Sequence, residues 1–286
     1  MVTHQVLYRQ FIAKIKLGLR LLGDEQQTEI RQFVINSQHQ SGGFTDRGGA
    51  PDLYYSVFGS WMAEALDLKP EITRLESWIK SLKDEEQGNG IHRFSLLFLQ
   101  QSLIQQRMSP LNLTKKLLLR DFPVNFSYQL FLALLLVDTA YGQKRWVRVF
   151  GRIMLTFYRL PQQVPCSMVA ALLVARSSLK MRTASLQKNL VQYFRPEKAF
   201  VAFAPMEEPD LLSTGVALFA LEKAQTDLRE IAPDCLSFIQ QNYRDGAFLA
   251  GDGDPECDLE YTFYGLLALG SLGSFLARTT GDQLKK

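Results

Sequence analysis

The chain has 286 residues, 47% of them hydrophobic and 21% charged, with a formal net charge of +3. This is ordinary globular composition with ample apolar side chains for a large core, and a single barrel or toroid can reach this length. Three dispersed cysteines, Cys166, Cys235 and Cys257, form no CxxC pair, which argues against a disulfide framework and suits a reducing compartment.

Taken in order, the N-terminal stretch "MVTHQVLYRQFIAKIKLGLRLLG" spreads its basic residues among apolar ones and lacks a continuous apolar run, so it does not read as a signal peptide. "EIRQFVINSQ" (29–38) sets Ile30, Phe33 and Val34 on one helical face. "EITRLESWIKSL" (71–82) does the same with Ile72, Leu75, Trp78, Ile79 and Leu82. The longest apolar run, "LFLALLLV" (130–137), is far short of the ~20 residues of a membrane span, so a soluble cytoplasmic protein is expected. "QKRWVRVFGRIMLTFYRL" (143–160) predicts a helix with a basic face and an apolar face of Trp146, Val149, Phe150, Ile153 and Phe157. "REIAPDCLSFIQQ" (229–241) is again amphipathic, through Ile231, Cys235, Phe238 and Ile239. Between these lie segments that are apolar nearly all round: 125–137, 166–175, 211–224 and 259–272. A helix without a polar face is buried among other helices. Amphipathic and buried helices therefore alternate, as an outer layer around an inner one would require.

One phrase recurs. Asp52-Leu-Tyr-Tyr55-Ser56, Asp210-Leu-Leu-Ser213-Thr214 and Asp258-Leu-Glu260-Tyr261-Thr262 align, each with a small residue seven positions after the Asp: Gly59, Ala217 and Gly265. Upstream, Gln38, Gly42 and Phe44 match Gln241, Gly246 and Phe248, with an echo at Gln192 and Phe200. Ser95, Ser127 and Ser167 mark degraded copies, giving about six helical hairpins without a linker between them. In each unit a Gly turn follows the outer helix, the Phe plugs between hairpins, the Asp caps the inner helix, and the small residue lets inner helices approach. The expectation is one all-α domain over 1–277 and a flexible tail over 278–286.

These Gln-Gly-aromatic loops followed by Asp-x-x-Tyr-[Ser/Thr]-x-aromatic resemble the repeats of protein prenyltransferase β subunits and of squalene and oxidosqualene cyclases. The likeness is good in the first and last two units and poor between 85 and 195. It implies an (α/α)6 toroid of inner and outer helix layers with an apolar funnel that binds isoprenoids. Zinc prenyltransferases need an Asp, a Cys two residues later and a later His; here those Cys and His positions hold Tyr54, Leu212 or Glu260 and Tyr55, Ser213 or Tyr261. The histidines, His4, His39 and His92, fall off the pattern, so no catalytic zinc is expected. On the acid motif of class II cyclases, Glu260 takes the proton donor's place and Asp258 the first acidic place, while Tyr261 replaces the second Asp of the pair.

The expected ligand is an isoprenoid or another long apolar molecule. Glu260 and Asp258 are the candidate catalytic acids, and Tyr54, Tyr55, Phe58, Tyr261 and Tyr264 the candidate funnel lining. The alternative is a non-catalytic relative that keeps the barrel as a binding or protein-interaction module. No resident cofactor is expected; the alternating acids at 252, 254, 256, 258 and 260 leave Mg²⁺ as the one candidate, against a solvated loop. Residues 139–196 hold ten Lys/Arg and no acid, while 201–260 hold thirteen acids and three bases. The basic region points either to a solvated outer helix or to contact with anionic lipid headgroups, a diphosphate or an acidic protein. Nucleic acid is not expected, since no nucleic-acid motif accompanies it.

Overall fold

The computed structural model describes residues 5–82, 90–105, 135–142, 144–161 and 163–283. They are mostly helical: α1 (Leu7–Arg20), α2 (Asp24–Asn36), α3 (Leu53–Ala65), α4 (Lys69–Ser81), α5 (Gly90–Ser102), a helical stretch at 135–141, α6 (Arg145–Phe157), α7 (Cys166–Ser178), α8 (Ala184–Val191), α9 (Leu211–Lys223), α10 (Ala232–Gln241) and α11 (Leu259–Gln283). The segments read as buried helices at 166–175, 211–224 and 259–272 are α7, α9 and α11, and the amphipathic ones at 29–38, 71–82, 143–160 and 229–241 are α2, α4, α6 and α10. His4, Ser127 and the 125–134 part of the remaining apolar segment lie outside the described residues. Among the described residues no helix is long and apolar enough to cross a membrane. A three-stranded antiparallel sheet, β1 (Tyr243–Arg244), β2 (Ala247–Leu249) and β3 (Cys257–Asp258), joins α10 to α11. Strands this short carry too few residues for a period-2 signature.

The chain groups into two compact units, Met1–Ile12 with Val34–Val147, and Ala13–Phe33 with Arg148–Lys286. In the first, α3 is apolar on almost every side and is packed by α4 and α5. Its Trp61 is the hub of an aromatic cluster, with Phe58, Phe98 and Phe11 at centroid distances of 5.6, 5.7 and 5.5 Å. Tyr8 meets Phe98 edge-on at 5.7 Å. The Leu7 amide, free at the start of α1, donates to Asp138 Oδ2 at 2.6 Å. The loop after α2 is held on α4 by Gln38, whose Nε2 donates to the Gly42 and Glu71 carbonyls at 2.8 Å each. Gly42 sits at φ +107°, with its Hα side against the Arg74 carbonyl, where a Cβ would collide.

In the second unit α9 packs between α7 and α11. Close helix approach comes from glycines other than the small residue that ends the repeated phrase. A Cβ on Gly215 would lie 2.7 Å from the Tyr264 carbonyl oxygen. Gly18 of α1 rests on the Leu266 carbonyl, and Gly270 of α11 on the Lys14 carbonyl. Lys14 and Glu222 pair at 2.7 Å. Gly246, at φ +87°, meets the Glu29 carbonyl of α2, and the Tyr243 hydroxyl donates to Glu29 Oε2 at 2.5 Å. α11 runs on past residue 277 to Gln283, and the Arg278 guanidinium donates to the Glu222 and Thr226 carbonyls.

Several details of the repeat differ from the sequence reading. The small residue of the phrase does not space inner helices: Gly59 and Gly265 lie beneath the rings of Phe44 and Phe248 from their own loops. Gln241 is exposed and donates to Ser237; Asn242 bonds the Phe238 carbonyl, leaving no counterpart of the Gln38 clamp there. Gln192 is exposed at the end of α8. Counting from the N-cap Pro165, the position equivalent to Thr214 is Val169, not Ser167. Ser95 is buried without a hydrogen-bond partner among the described residues.

Candidate functional site

The candidate residues lie at the starts of the apolar helices α3, α9 and α11, and the local sequence explains why. Asp52, Asp210 and Asp258 each precede a helix and accept, through Oδ1, from the amide three residues on: Tyr55 at 2.9 Å, Ser213 at 2.7 Å and Tyr261 at 2.8 Å. Such a cap satisfies one of the free amides of the first turn and favours a negative charge there. One turn in, the Ser/Thr of the phrase turns back. Ser56 Oγ, Thr214 Oγ1 and Thr262 Oγ1 accept from the amides of Phe44, Phe200 and Phe248 at 2.9, 3.2 and 3.1 Å. Those amides are buried beneath the Phe plugs, so the hydroxyl supplies an acceptor that water cannot.

In the first unit, His92 Nε2 on α5 lies 2.9 Å from Asp52 Oδ2. Burial raises the Asp52 carboxyl, but the hydrogen bond from His92 and those from the Tyr55 and Tyr54 amides outweigh it, and its pKa falls below 3.8. The bond to Asp52 raises His92 above 6.5, against the opposing effect of burial. Tyr54 and Tyr55 are half-buried beside this pair, while Phe58 is 1% exposed between Tyr54 and Trp61.

In the second unit the corresponding cap has acid neighbours. Burial raises Asp210 above 3.8, the Ser213 amide and hydroxyl oppose this, and the charge of Asp252 adds to it. The same capping role thus yields opposite shifts, because an imidazole offsets the burial of Asp52, whereas burial dominates at Asp210 and Asp252 adds to it. The half-buried Tyr261 phenol is pushed far up, first by burial and then by Glu260, Asp210, Asp252 and Asp258. It is a neutral hydrogen-bond donor amid acids. Asp258 and Glu260 are both buried, and Tyr264 is 5% exposed with its backbone against Gly215. The Cys166 thiol, buried and near Asp210, is raised well above its ordinary value and is unsuited to nucleophilic work. The acidic loop closes on itself: Asp252 accepts from the Asp254 amide and Asp254 from the Glu256 amide. Among the described residues no group of three or more His, Cys, Asp or Glu is placed to hold a metal ion.

Two features escaped the sequence reading. His92 misses the zinc pattern, and its pairing with Asp52 joins residues forty positions apart. The other is α1, whose Tyr8, Phe11, Ile12, Ile15 and Leu19 are all buried. Their spacing is a helical stripe legible in the sequence once the question is not limited to signal peptides. No protein-family model matches this chain, and no curated protein matches it significantly.

Proposed function

We propose that the chain is a divergent α/α toroid that serves as a non-catalytic interaction module. The ring topology is supported by hydrogen bonds that repeat between successive hairpins. The first amide of α7 donates to the Ala202 carbonyl, and the first amide of α9 to the Ala250 carbonyl, both at 2.8 Å. The Gly246 loop lies against α2 as the Gly42 loop lies against α4, the relation expected if α2 follows α11 in cyclic order.

The observation that carries the functional reading is the burial of α1. The apolar stripe of α1 is buried, with Tyr8 against Phe98 and Phe11 against Trp61, and in the second unit the Gly18 and Lys14 backbone meets α11. Five buried side chains at about 2 kcal/mol each amount to roughly 10 kcal/mol of burial. A ligand claiming that surface would have to displace it, and a micromolar complex supplies only about 8 kcal/mol. Asp52, Asp210 and Asp258 are accounted for as caps, and Phe58 and Tyr264 by core packing.

A second reading rests on Tyr261 among Glu260, Asp258, Asp210 and Asp252. A carboxyl group acting as a general acid in such a cluster is the ingredient of acid-initiated isoprenoid cyclisation. Product analysis with farnesyl and geranylgeranyl diphosphates and with squalene separates the two. The module reading expects no product from the native chain. Product that disappears in Glu260→Gln would overturn it in favour of the cyclase.

A further inference from the structure

α6 is mounted inside out. It has no buried residue, and Trp146, Val149, Phe150, Ile153, Met154 and Phe157 are each at least half exposed, Phe157 at 79%. At 3.6 residues per turn these six side chains share one face. The opposite face makes the attachments. The Cβ position of Gly151 lies 3.3 Å from Leu179 Cδ1. Arg152 Nε donates to the Leu179 carbonyl at 2.9 Å, and the Leu155 carbonyl accepts from Arg176 at 2.8 Å. A surface helix ordinarily turns its apolar stripe inward; this one docks by polar and backbone groups and offers the stripe to its surroundings.

We propose that α6 is an interfacial anchor that lies in the plane of a bilayer rich in anionic lipid. This inference rests on α6 alone and is independent of the reading of the inner helices. Three observations select a lipid surface. Lys144, Arg145, Arg148 and Arg159 accompany the apolar face, and no acid occurs anywhere in 139–196 to repel phosphate headgroups. Bulky Trp, Phe, Ile and Met over a basic flank is the chemistry of a helix lodged at the headgroup–acyl boundary. Thirteen residues rise about 20 Å, too short for a hydrocarbon core of about 30 Å, so the helix lies along the membrane and does not cross it. A second copy of the same face would bring these cations against one another.

The test is flotation of the full chain with phosphatidylcholine vesicles, with or without phosphatidylserine, reading Trp146 emission against a Trp146→Phe control. The expected result is binding to the anionic vesicles only, weakened by salt, with a blue shift absent from Trp146→Phe. Phe150→Ser with Phe157→Ser, whose side chains touch no core, should abolish binding while leaving the unfolding transition unchanged. Arg145→Gln with Arg159→Gln should weaken it about tenfold or more, since each base near an anionic surface contributes about fivefold. No binding to anionic vesicles would overturn the proposal. So would binding that the Phe variants leave intact. Sedimentation showing a dimer or an acidic-protein complex that the Phe variants dissolve, without vesicle binding, would assign the face to that partner instead.

Discussion

His92 and Asp52 illustrate how one side chain changes the meaning of a repeated position. Three aspartates cap three helices in the same geometry, and among the described residues Asp52 is paired with a histidine. In the folded chain His92 is raised above 6.5 and Asp52 lowered below 3.8. The raised imidazole contributes its stability in full below its unfolded pKa and loses it as pH climbs through the folded one. The depressed carboxyl contributes above its unfolded pKa and loses that as pH falls through its folded one. The pair is therefore strongest between these two values. The His92 side chain is 38% exposed, so solvent screening limits the pair to about 1 kcal/mol or less. Urea unfolding just below and well above pH 6.5 should show a loss of that order in the native chain and none in His92→Gln. Equal slopes in the two proteins would remove the pair from the account.

At the scale of the element, the hairpin is built around a Phe amide and a hydroxyl. The loop hairpin buries Phe44, Phe200 or Phe248, and the helix that follows must supply an acceptor for the amide beneath it. Thr262→Val keeps the shape and removes the acceptor. It should cost about 1–3 kcal/mol, the penalty of a buried amide left unsatisfied. A thermal or urea transition unchanged by Thr262→Val would mean the repeated hydroxyl has another purpose. This part of the molecule was legible in the sequence, because caps, turn glycines and the Ser/Thr recur at fixed spacing. The helix ends were not. Asp67, Lys180 and Gln225 adopt φ of 55°, 55° and 60° after α3, α7 and α9. Each end is closed by the same pair of bonds, such as Leu68 amide to Ala63 carbonyl and Asp67 amide to Glu64 carbonyl. None of the three carries the glycine that normally announces such a cap. The small residue under each Phe was visible as a repeat but misassigned, since spacing alone cannot say whether a ring or a neighbouring helix fills the room it leaves.

For the whole chain, the reading turns on α1, whose Tyr8, Phe11, Ile12, Ile15 and Leu19 are all buried. The alternation of wet and dry helices in the sequence predicts which helices are buried but not what covers them, because an apolar stripe looks the same whether it meets protein or ligand. The phrase itself marks Asp258 as a helix cap, as the hydrogen bond from the Tyr261 amide bears out. The surroundings of the caps, Asp252 beside Asp210 and four acids around Tyr261, depend on loops brought together by the fold. Hydrogen exchange of the α1 amides, measured with and without farnesyl diphosphate, tests the central claim most directly. The account predicts that amides 12–19 exchange only through global unfolding and that the isoprenoid leaves their protection unchanged. Opening of α1 at low free energy, or a change in its protection on adding the isoprenoid, would contradict it and return the inner helices to a ligand.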